Sequence, residues 1–130
     1  MIRYRGGEIP ELHAVAALLA DAHLRRPVHD HARLRAMLEA SNVLHAAFLG
    51  ERLVGLVRGW TDGAWEGYLC DLAVHPDVAR EGVAEELLRA ATDGMPGIRW
   101  TIPAEFVPRA RLEAFGWIRN PNGWMLPREG

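Results

Sequence analysis

The stretch that decides the fold of this 130-residue chain runs from Asp71 to Leu88 and reads DLAVHPDVAREGVAEELL. Its apolar first part predicts a strand that ends before Pro76, and helical spacing of apolar residues predicts a helix from Gly82 onward. The first N–H groups of a helix have no partner inside the helix, so they favour an anion such as a pyrophosphate. Small residues in the intervening turn let the backbone approach such a ligand.

The flanking sequence alternates between strand-like and helix-like periods. A strand over 2–5 precedes a helix that opens at Pro10, and Asp30 is the expected N-cap of a second helix. The remaining predicted elements are strands over 43–49, 52–60, 65–75 and 98–102, a hairpin turn at Asp62-Gly63, helices over 82–93 and 109–115, and a hairpin of 117–119 with 124–126.

These elements follow the order β-α-α-β-β-β-α-β-α-β-β within one domain, 1–130. The hairpins imply antiparallel pairing, and the crossover through the helix 82–93 implies one parallel pair. The fold class expected is α/β with a mixed, mostly antiparallel sheet flanked by helices.

Net charge, cysteine count and the length of apolar runs exclude some classes of function. The formal net charge is -2, which argues against a general nucleic-acid binder. Cys70 is the single cysteine, so no disulfide within the chain is expected, and no apolar run approaches the length that spans a bilayer. We expect a cytoplasmic protein with neither a membrane nor a nucleic acid as its partner.

The quoted stretch resembles the acetyl-CoA motif of the GNAT superfamily of N-acetyltransferases, in a degenerate form. The chain is similar to short, single-domain, bacterial-type members of that superfamily. The segments RLVGLVRGWTDG and ARLEAFGWIRNPNGWMLPR are similar to the family's second hairpin and C-terminal segment. The resemblance implies the GNAT fold across nearly the whole chain. It also implies transfer of acetyl from acetyl-CoA to a primary amine of a small molecule or peptide, by direct attack in a ternary complex.

The resemblance further implies how acetyl-CoA binds. The strands 65–75 and 98–102 would separate to admit the pantetheine arm, and an N–H near Leu72 would polarise the thioester carbonyl. The residues expected to contact the arm are Leu72, Ala73 and Val74. Those expected to wrap the pyrophosphate are Ala79, Arg80, Glu81, Gly82, Val83 and Ala84.

The catalytic positions of the family carry other residues in this chain. Leu112 stands where many members have a tyrosine, and Tyr68 and Cys70 stand where relatives have a glutamate. Because side chains alternate along a strand, Tyr68, Cys70 and Leu72 are expected on one face and Asp71 on the other. Tyr68 and Asp71 are the predicted catalytic residues, although a structural anchor is an alternative role for Asp71. Cys70 is interpreted as a small buried hydrophobe.

The sequence leaves alternatives open both for the catalytic base and for the function. A base could act through water, and Tyr68, Glu66, His75 and Glu105 are the residues of suitable chemistry. Ala79 and Glu81 replace residues that favour CoA in the family, so a non-catalytic module that binds acyl-CoA or another partner is the second hypothesis. A GNAT fold redirected to other chemistry is a third, because function does not follow from fold.

The loop between the two N-terminal helices lines the acceptor site in the family. On that resemblance, His23, Arg26 and His29 are the predicted substrate-binding residues. His29 and His31 flank Asp30 but do not share a helix face, so no metal site is expected. The five tryptophans are interpreted as core or dimer contacts, which leaves a homodimer open.

Overall fold

A computed structural model describes residues 1–103 and 109–129, with the side chains of 109 and 110 omitted. The strands are β1 (Ile2–Gly6), β2 (Val43–Leu49), β3 (Arg52–Thr61), β4 (Glu66–Val74) and β5 (Arg99–Thr101). The helices are α1 (Leu12–Asp21), α2 (His31–Ala40), α3 (Val83–Thr92) and α4 (Arg109–Ala114), with a 3-10 turn at Pro76–Val78.

The described strands form one mixed sheet in the order β1-β2-β3-β4-β5. The first four strands pair antiparallel, whereas β4 and β5 pair parallel across the α3 crossover. The α/β class and the mixed sheet predicted from the sequence are therefore confirmed.

Two apolar layers cover the two faces of the sheet. On one face, which we call the α1–α2 face, α1 and α2 bury Val15, Leu18 and Leu34 against β2 and β3. On the other, the α3 face, Leu87 of α3 and Leu112 of α4 pack on the central strands. Helical spacing of apolar residues predicts these buried stripes, because residues three and four apart share a helix face.

Side chains cap the two N-terminal helices. The Asp30 carboxylate accepts a hydrogen bond from the Arg33 N–H at 3.0 Å, as predicted for an N-cap. Glu11 caps α1 by accepting from the N–H groups of His13 and Ala14, so α1 begins at Leu12 rather than at Pro10.

The β3–β4 hairpin turns at Asp62-Gly63, as predicted. One Asp62 oxygen accepts from the N–H groups of Ala64, Trp65 and Glu66 at 2.7–3.0 Å. These hydrogen bonds stabilise the charged form and lower the pKa of Asp62. Gly63 has a φ of 73°, which the turn requires.

A β-bulge interrupts the alternation of β4. Arg58 pairs with Asp71 but Gly59 pairs with Leu69, so Cys70 is an extra residue on β4. A Cβ on Gly59 would overlap the carbonyl oxygen of Tyr68, so the close approach of the strands at the bulge requires glycine.

The bulge overturns one expectation. Leu69 and Leu72, three residues apart, both pack on the α3 face. Tyr68 stacks instead on Trp60, whose neighbour Arg58 pairs with Asp71 on the α1–α2 face. The prediction that Tyr68 shares a face with Leu72 and opposes Asp71 is wrong, because the extra residue reverses the alternation between positions 69 and 71.

The predicted C-terminal hairpin is absent. Residues 117–129 contain a turn at 121–122 but no strand, and beyond Trp117 their side chains are exposed. A two-stranded hairpin is marginal without a surface to pack on, and this one has no strand partner among the described residues. The sheet therefore ends at β5 in the described part of the chain.

Candidate active site

Strand β4, the fourth of the five in the sheet, has an open edge on its β5 side. The β4–β5 ladder covers only three pairs, from Glu66↔Arg99 to Tyr68↔Thr101. Beyond Tyr68, residues 69–74 of β4 pair with β3 and with no other described strand. An open edge of this kind can bond an extended ligand through its backbone groups.

Two of the predicted CoA-contact residues present only backbone to this edge. The side chains of Leu72 and Ala73 are buried, in the α3-face and α1–α2-face layers respectively. Val74 is half-buried and ends the strand. Their side chains serve the core, so contact with a ligand at the edge must be made by their N–H and C=O groups.

The start of α3 lies at the end of the open edge. Gly82 adopts a left-handed backbone with φ 73°, and no side chain caps the helix that follows. Val83 is buried and fixes the helix on the core, whereas Ala79, Arg80 and Glu81 are exposed. The first N–H groups of α3 are therefore without a side-chain partner at the positive end of the helix dipole, which suits a phosphate group.

Carboxylates near this helix end are engaged elsewhere. Glu86 is bonded by Arg89, which lowers the pKa of Glu86, and Glu85 lies 3.4 Å from the Arg111 guanidinium. No ion pair involves Arg80 among the residues that the structure describes. Its guanidinium is thus the cation of this turn that could meet a phosphate.

His75 holds the turn after β4. Its Nδ1 accepts a hydrogen bond from the Asp77 N–H at 3.1 Å, and its Nε2 lies 3.3 Å from an Asp21 carboxylate oxygen and 2.8 Å from Arg52. The ring is nearly buried. These contacts give His75 a structural role, since both ring nitrogens are already engaged.

Asp71 is completely buried between two arginines. One carboxylate oxygen pairs with Arg58 of β3 and the other with Arg26 of the α1–α2 loop. Arg26 also donates to the carbonyl of Cys70, the bulged residue, at 3.1 Å. The predicted catalytic residue Asp71 therefore has no solvent-exposed surface, and its described contacts join it to β3 and to the loop that holds the bulge.

The surroundings of the Cys70 thiol disfavour its thiolate form. Burial, with Asp71 beside it, raises the pKa of Cys70 to about 11, and its sulfur lies 3.6 Å from the Arg58 carbonyl oxygen. The nucleophilic form is the thiolate, which such a pKa suppresses at neutral pH. The interpretation of Cys70 as a small buried residue agrees with this geometry.

Tyr68 is an accessible polar residue beside the open edge. The residue is 41% exposed, and its ring stacks on Trp60, with centroids 6.4 Å apart and planes within 4°. Trp60 is itself held by a hydrogen bond from its indole N–H to the Ala40 carbonyl. The stack orients the Tyr68 ring at the point where the β4–β5 ladder ends.

The predicted substrate-binding residues separate into two kinds. Arg26 is tied to β4, with only 16% of its side chain exposed, whereas His23 and His29 are exposed on the same loop. His23 has a left-handed φ of 62° directly after α1. The Arg26 contacts bring this loop against the α1–α2 face of the bulge, next to Asp71.

The other proposed bases are less suitably placed. Glu66 pairs with Arg99 across the β4–β5 ladder. Glu105 lies outside the described residues. Leu112, at the tyrosine position of the family, is buried in the core and contributes no polar group.

Sequence reasoning missed Arg58 and Trp60. Both lie on β3 and contact side chains of β4, since Arg58 pairs with Asp71 and Trp60 stacks on Tyr68. The Arg58 guanidinium also lies 5.3 Å from the Trp60 ring centroid. A lone arginine within the apolar run LVGLVRG was the available signal, since a buried charge needs a partner.

No group of three or more His, Cys, Asp or Glu side chains in the described part of the chain could hold a metal ion. None of the described helices has the length and apolar character needed to cross a membrane.

The mixed sheet with helices on both faces places the protein in the α/β class, and residues 69–74 of β4 leave one side of that strand open. The sequence model described as the Acetyltransferase (GNAT) family matches residues 12–99. The chain therefore belongs to the GNAT acetyltransferase family. No functionally curated protein is significantly similar to it in sequence.

Solved structures share this fold over their full length. A probable acetyltransferase from meticillin-resistant Staphylococcus aureus has a TM-score of 0.85 at 16% identity, covering 98% of this chain and 99% of the other. A GNAT family acetyltransferase from Streptococcus pneumoniae has a TM-score of 0.81 at 23% identity, with complete coverage of both chains. An aminoglycoside N-acetyltransferase in complex with CoA has a TM-score of 0.71 at 16% identity, covering 100% and 96%.

Proposed function

We propose that the protein transfers acetyl from acetyl-CoA to a primary amine of a small molecule or a peptide. The observation that carries the proposal is the open edge of β4 at residues 69–74, which leads to the uncapped start of α3 at Gly82. An extended arm with amide groups suits the edge, and a pyrophosphate suits the helix end. Family membership supports acetyl-CoA as the donor.

The reaction proposed is direct attack. The lone pair of the amine nitrogen forms a bond to the thioester carbonyl carbon, the C–S bond breaks, and CoA leaves as a thiolate. The amine loses one proton to a base through water, and the thiolate takes one up. Backbone N–H groups near Leu72 would stabilise the negative charge on the carbonyl oxygen during attack.

Tyr68 is the residue proposed to touch the reacting groups. It is 41% exposed, its ring is fixed by Trp60, and it lies where the open edge begins. A phenol hydroxyl can return a proton to a thiolate and can relay one from an amine through water. Asp71 and Arg26 would act indirectly, by holding the bulge and the acceptor loop.

The acceptor would approach along the α1–α2 loop. His23 and His29 are exposed there, and Arg25 is exposed between them. These groups favour an acceptor that carries a negative group near its amine. The amine panel should therefore contain amino acids and acidic peptides, which we expect to react, and polycationic amines, which serve as the contrast. A cytoplasmic homodimer is the setting we propose, and the free Cys70 thiol is compatible with a reducing compartment.

Isothermal titration of the protein with acetyl-CoA tests the donor, and thiol release across the amine panel tests the transfer. We expect acetyl-CoA to bind with a dissociation constant in the micromolar range. We expect thiol to be released only in the presence of one class of amine. Absence of both heat and thermal shift at millimolar acetyl-CoA would overturn the proposal.

A non-catalytic acyl-CoA-binding module is the second candidate. Leu112 is buried at the position where the family has its acid, and the Cys70 thiol cannot replace a carboxylate. Binding of acetyl-CoA without thiol release on any amine would favour this module over the enzyme.

A further inference from the structure

Two large aromatic side chains remain partly exposed on the α1–α2 face of the sheet. Trp60 of β3 is 37% exposed, and Tyr68, its partner across the strands on β4, is 41% exposed. Singly exposed apolar residues are common on proteins, but two adjacent large rings form a surface that favours contact with an apolar group of a ligand. The pair therefore has the character of a binding surface.

The geometry of the two rings leaves part of each one uncovered by the other. Their planes lie within 4° of each other, but their centroids are 6.4 Å apart, near the long end of the range of about 4.5–7 Å for offset stacks. Each ring thus covers only a part of its neighbour. The two rings form a flat aromatic surface, which we call the Trp60–Tyr68 surface.

The Trp60–Tyr68 surface is fixed on both of its sides. The indole N–H of Trp60 donates to the Ala40 carbonyl at 2.8 Å, at the end of α2. Tyr68 pairs through its backbone with Thr101 of β5. A surface whose rings are already ordered loses little conformational entropy when a ligand contacts it, so it is pre-organised for binding.

The surface borders the site proposed for the acceptor. Tyr68 lies where the open side of β4 begins, and two residues further along the strand Arg26 of the α1–α2 loop donates to the Cys70 carbonyl at 3.1 Å. The same loop exposes the guanidinium of Arg25. Aromatic rings and positive charge are therefore contributed to one region of the α1–α2 face.

We propose that the acceptor carries an aromatic ring near its primary amine, and that this ring packs on the Trp60–Tyr68 surface. Flat rings pack well on other aromatic rings, and a carboxylate on the same acceptor is attracted by Arg25. The acceptor class is thus an amino acid or short peptide with an aromatic first side chain and a nearby carboxylate. Trp60 is a specificity-determining residue, because it contacts the ring of the acceptor. The inference rests on the proposed acetyl transfer and narrows its acceptor.

Thiol release with two matched dipeptides tests the preference. Phenylalanyl-aspartate and alanyl-aspartate share the amine and the carboxylates and differ by one phenyl ring. We expect kcat/KM to be at least about tenfold higher for phenylalanyl-aspartate, because a stacked ring and its buried area contribute free energy of that order. Equal values in an active enzyme would overturn the inference and leave acetyl transfer standing. A preference for polycationic amines would also overturn it, since the rings would then hold a cation.

Substitution of Trp60 locates the preference on the surface. Trp60→Leu should reduce the ratio between the dipeptides to about twofold or less, mainly through a higher KM for phenylalanyl-aspartate, whereas Trp60→Phe keeps a ring and most of the ratio. A disturbance of Tyr68 lowers kcat for both dipeptides and cancels in the ratio. Trp65→Leu is the matched control, because Trp65 is 79% exposed on the same hairpin and is not one of the two stacked rings. A wild-type ratio in Trp60→Leu would contradict the assignment.

Binding of the products separates failure of this inference from failure of the proposed function. N-acetyl-phenylalanyl-aspartate and N-acetyl-alanyl-aspartate are titrated by calorimetry into the protein saturated with CoA. We expect the aromatic product to bind at least about fivefold more tightly, and Trp60→Leu to abolish the difference, even if no amine releases thiol. Equal affinities, or binding of neither product, would overturn the inference. Titration with acetyl-CoA alone reports separately on the proposed donor.

Discussion

Arg58 and Asp71 face each other across β3 and β4 and form an ion pair that is almost entirely excluded from solvent. The Arg58 guanidinium also donates to the Met37 carbonyl at 3.1 Å and to the Ser41 hydroxyl at 3.3 Å, at the end of α2. The pair therefore joins α2, β3 and the bulged strand β4 through one set of charges. Arg26 extends the same set to the loop between α1 and α2.

Replacing Asp71 by alanine leaves two guanidinium groups buried beside an apolar side chain. We expect Asp71→Ala to lower the free energy of unfolding by about 3–5 kcal/mol, measured by urea denaturation. Asp93→Ala is the control, because Asp93 forms an exposed ion pair with Arg89 at 3.8 Å, worth no more than about 1 kcal/mol. Equal losses in the two variants would contradict the positioning role of Asp71.

A methyl group at Gly59 would displace β4 at the bulge. Gly59→Ala is expected to lower the free energy of unfolding by at least about 3 kcal/mol, because the added Cβ meets backbone rather than a mobile side chain. Gly97→Ala has no atom within 4 Å of its Cβ and should change stability little. Denaturant midpoints that agree between the two variants would argue against a close approach at Gly59.

Glycines at the two ends of α3 allow a matched test of whether the turn before α3 binds a phosphate group of acetyl-CoA. Gly82 and Gly94 have φ values of 73° and 74°, so alanine at either position should lower stability by about 1–2 kcal/mol. Gly82→Ala alone is expected to weaken acetyl-CoA binding, by at least about tenfold, or about 1.4 kcal/mol. Titration calorimetry measures both affinities, and an equal effect of the two changes would remove α3 from the proposed donor site.

Removal of one hydroxyl tests Tyr68. Tyr68→Phe keeps the ring on Trp60, so the free energy of unfolding should change by no more than about 1 kcal/mol, whereas kcat should fall by about 10²-fold. Tyr4→Phe alters the other tyrosine of the chain, on β1, and should leave kcat unchanged. The measurement is thiol release with the preferred amine. A full kcat in Tyr68→Phe would exclude proton transfer by this residue.

Stability should fall in alkaline solution because of Cys70. The pKa of Cys70 is raised from 9.0 to about 11 in the folded state, so the unfolded chain loses this proton first as the pH rises. Below pH 9 the thiol is protonated in both the folded and the unfolded state, so it does not affect stability. As the pH rises from 9 to about 11, the free energy of unfolding should fall by about 2–3 kcal/mol. Denaturation curves at pH 8.5, 9.5 and 10.5 measure the slope. Cys70→Ala should show a shallower slope, and identical slopes would refute the assignment.

Sequence patterns predicted the local features well. The Asp30 cap, the Asp62-Gly63 turn and the apolar stripe of α3 each depend on residues within about ten positions of one another. Such features follow from helical spacing and from side chains that bond nearby backbone. The two halves of the proposed donor site, Leu72 to Val74 and Ala79 to Ala84, are likewise close together in the sequence.

The bulge could not be predicted from alternation. Period two assigns each side chain of β4 to a face, and one extra residue at Cys70 inverts the assignment for every position before it. The Arg58–Asp71 pair and the Trp60–Tyr68 stack depend on the β3–β4 register, which the sequence does not display. The tail shows the opposite error, because its turn at 121–123 predicted a hairpin of 117–119 with 124–126, whereas the described tail contains no strand.

The short β4–β5 ladder has a consequence for the motions of the backbone. Amides in the middle of a sheet normally exchange with solvent only when the sheet opens, but residues 69–74 border no described strand on one side. The amides of this stretch that point away from β3 should therefore exchange with deuterium at rates typical of a sheet margin. A ligand that lies along the open side should slow the exchange of those amides while β1 and β2 keep their rates.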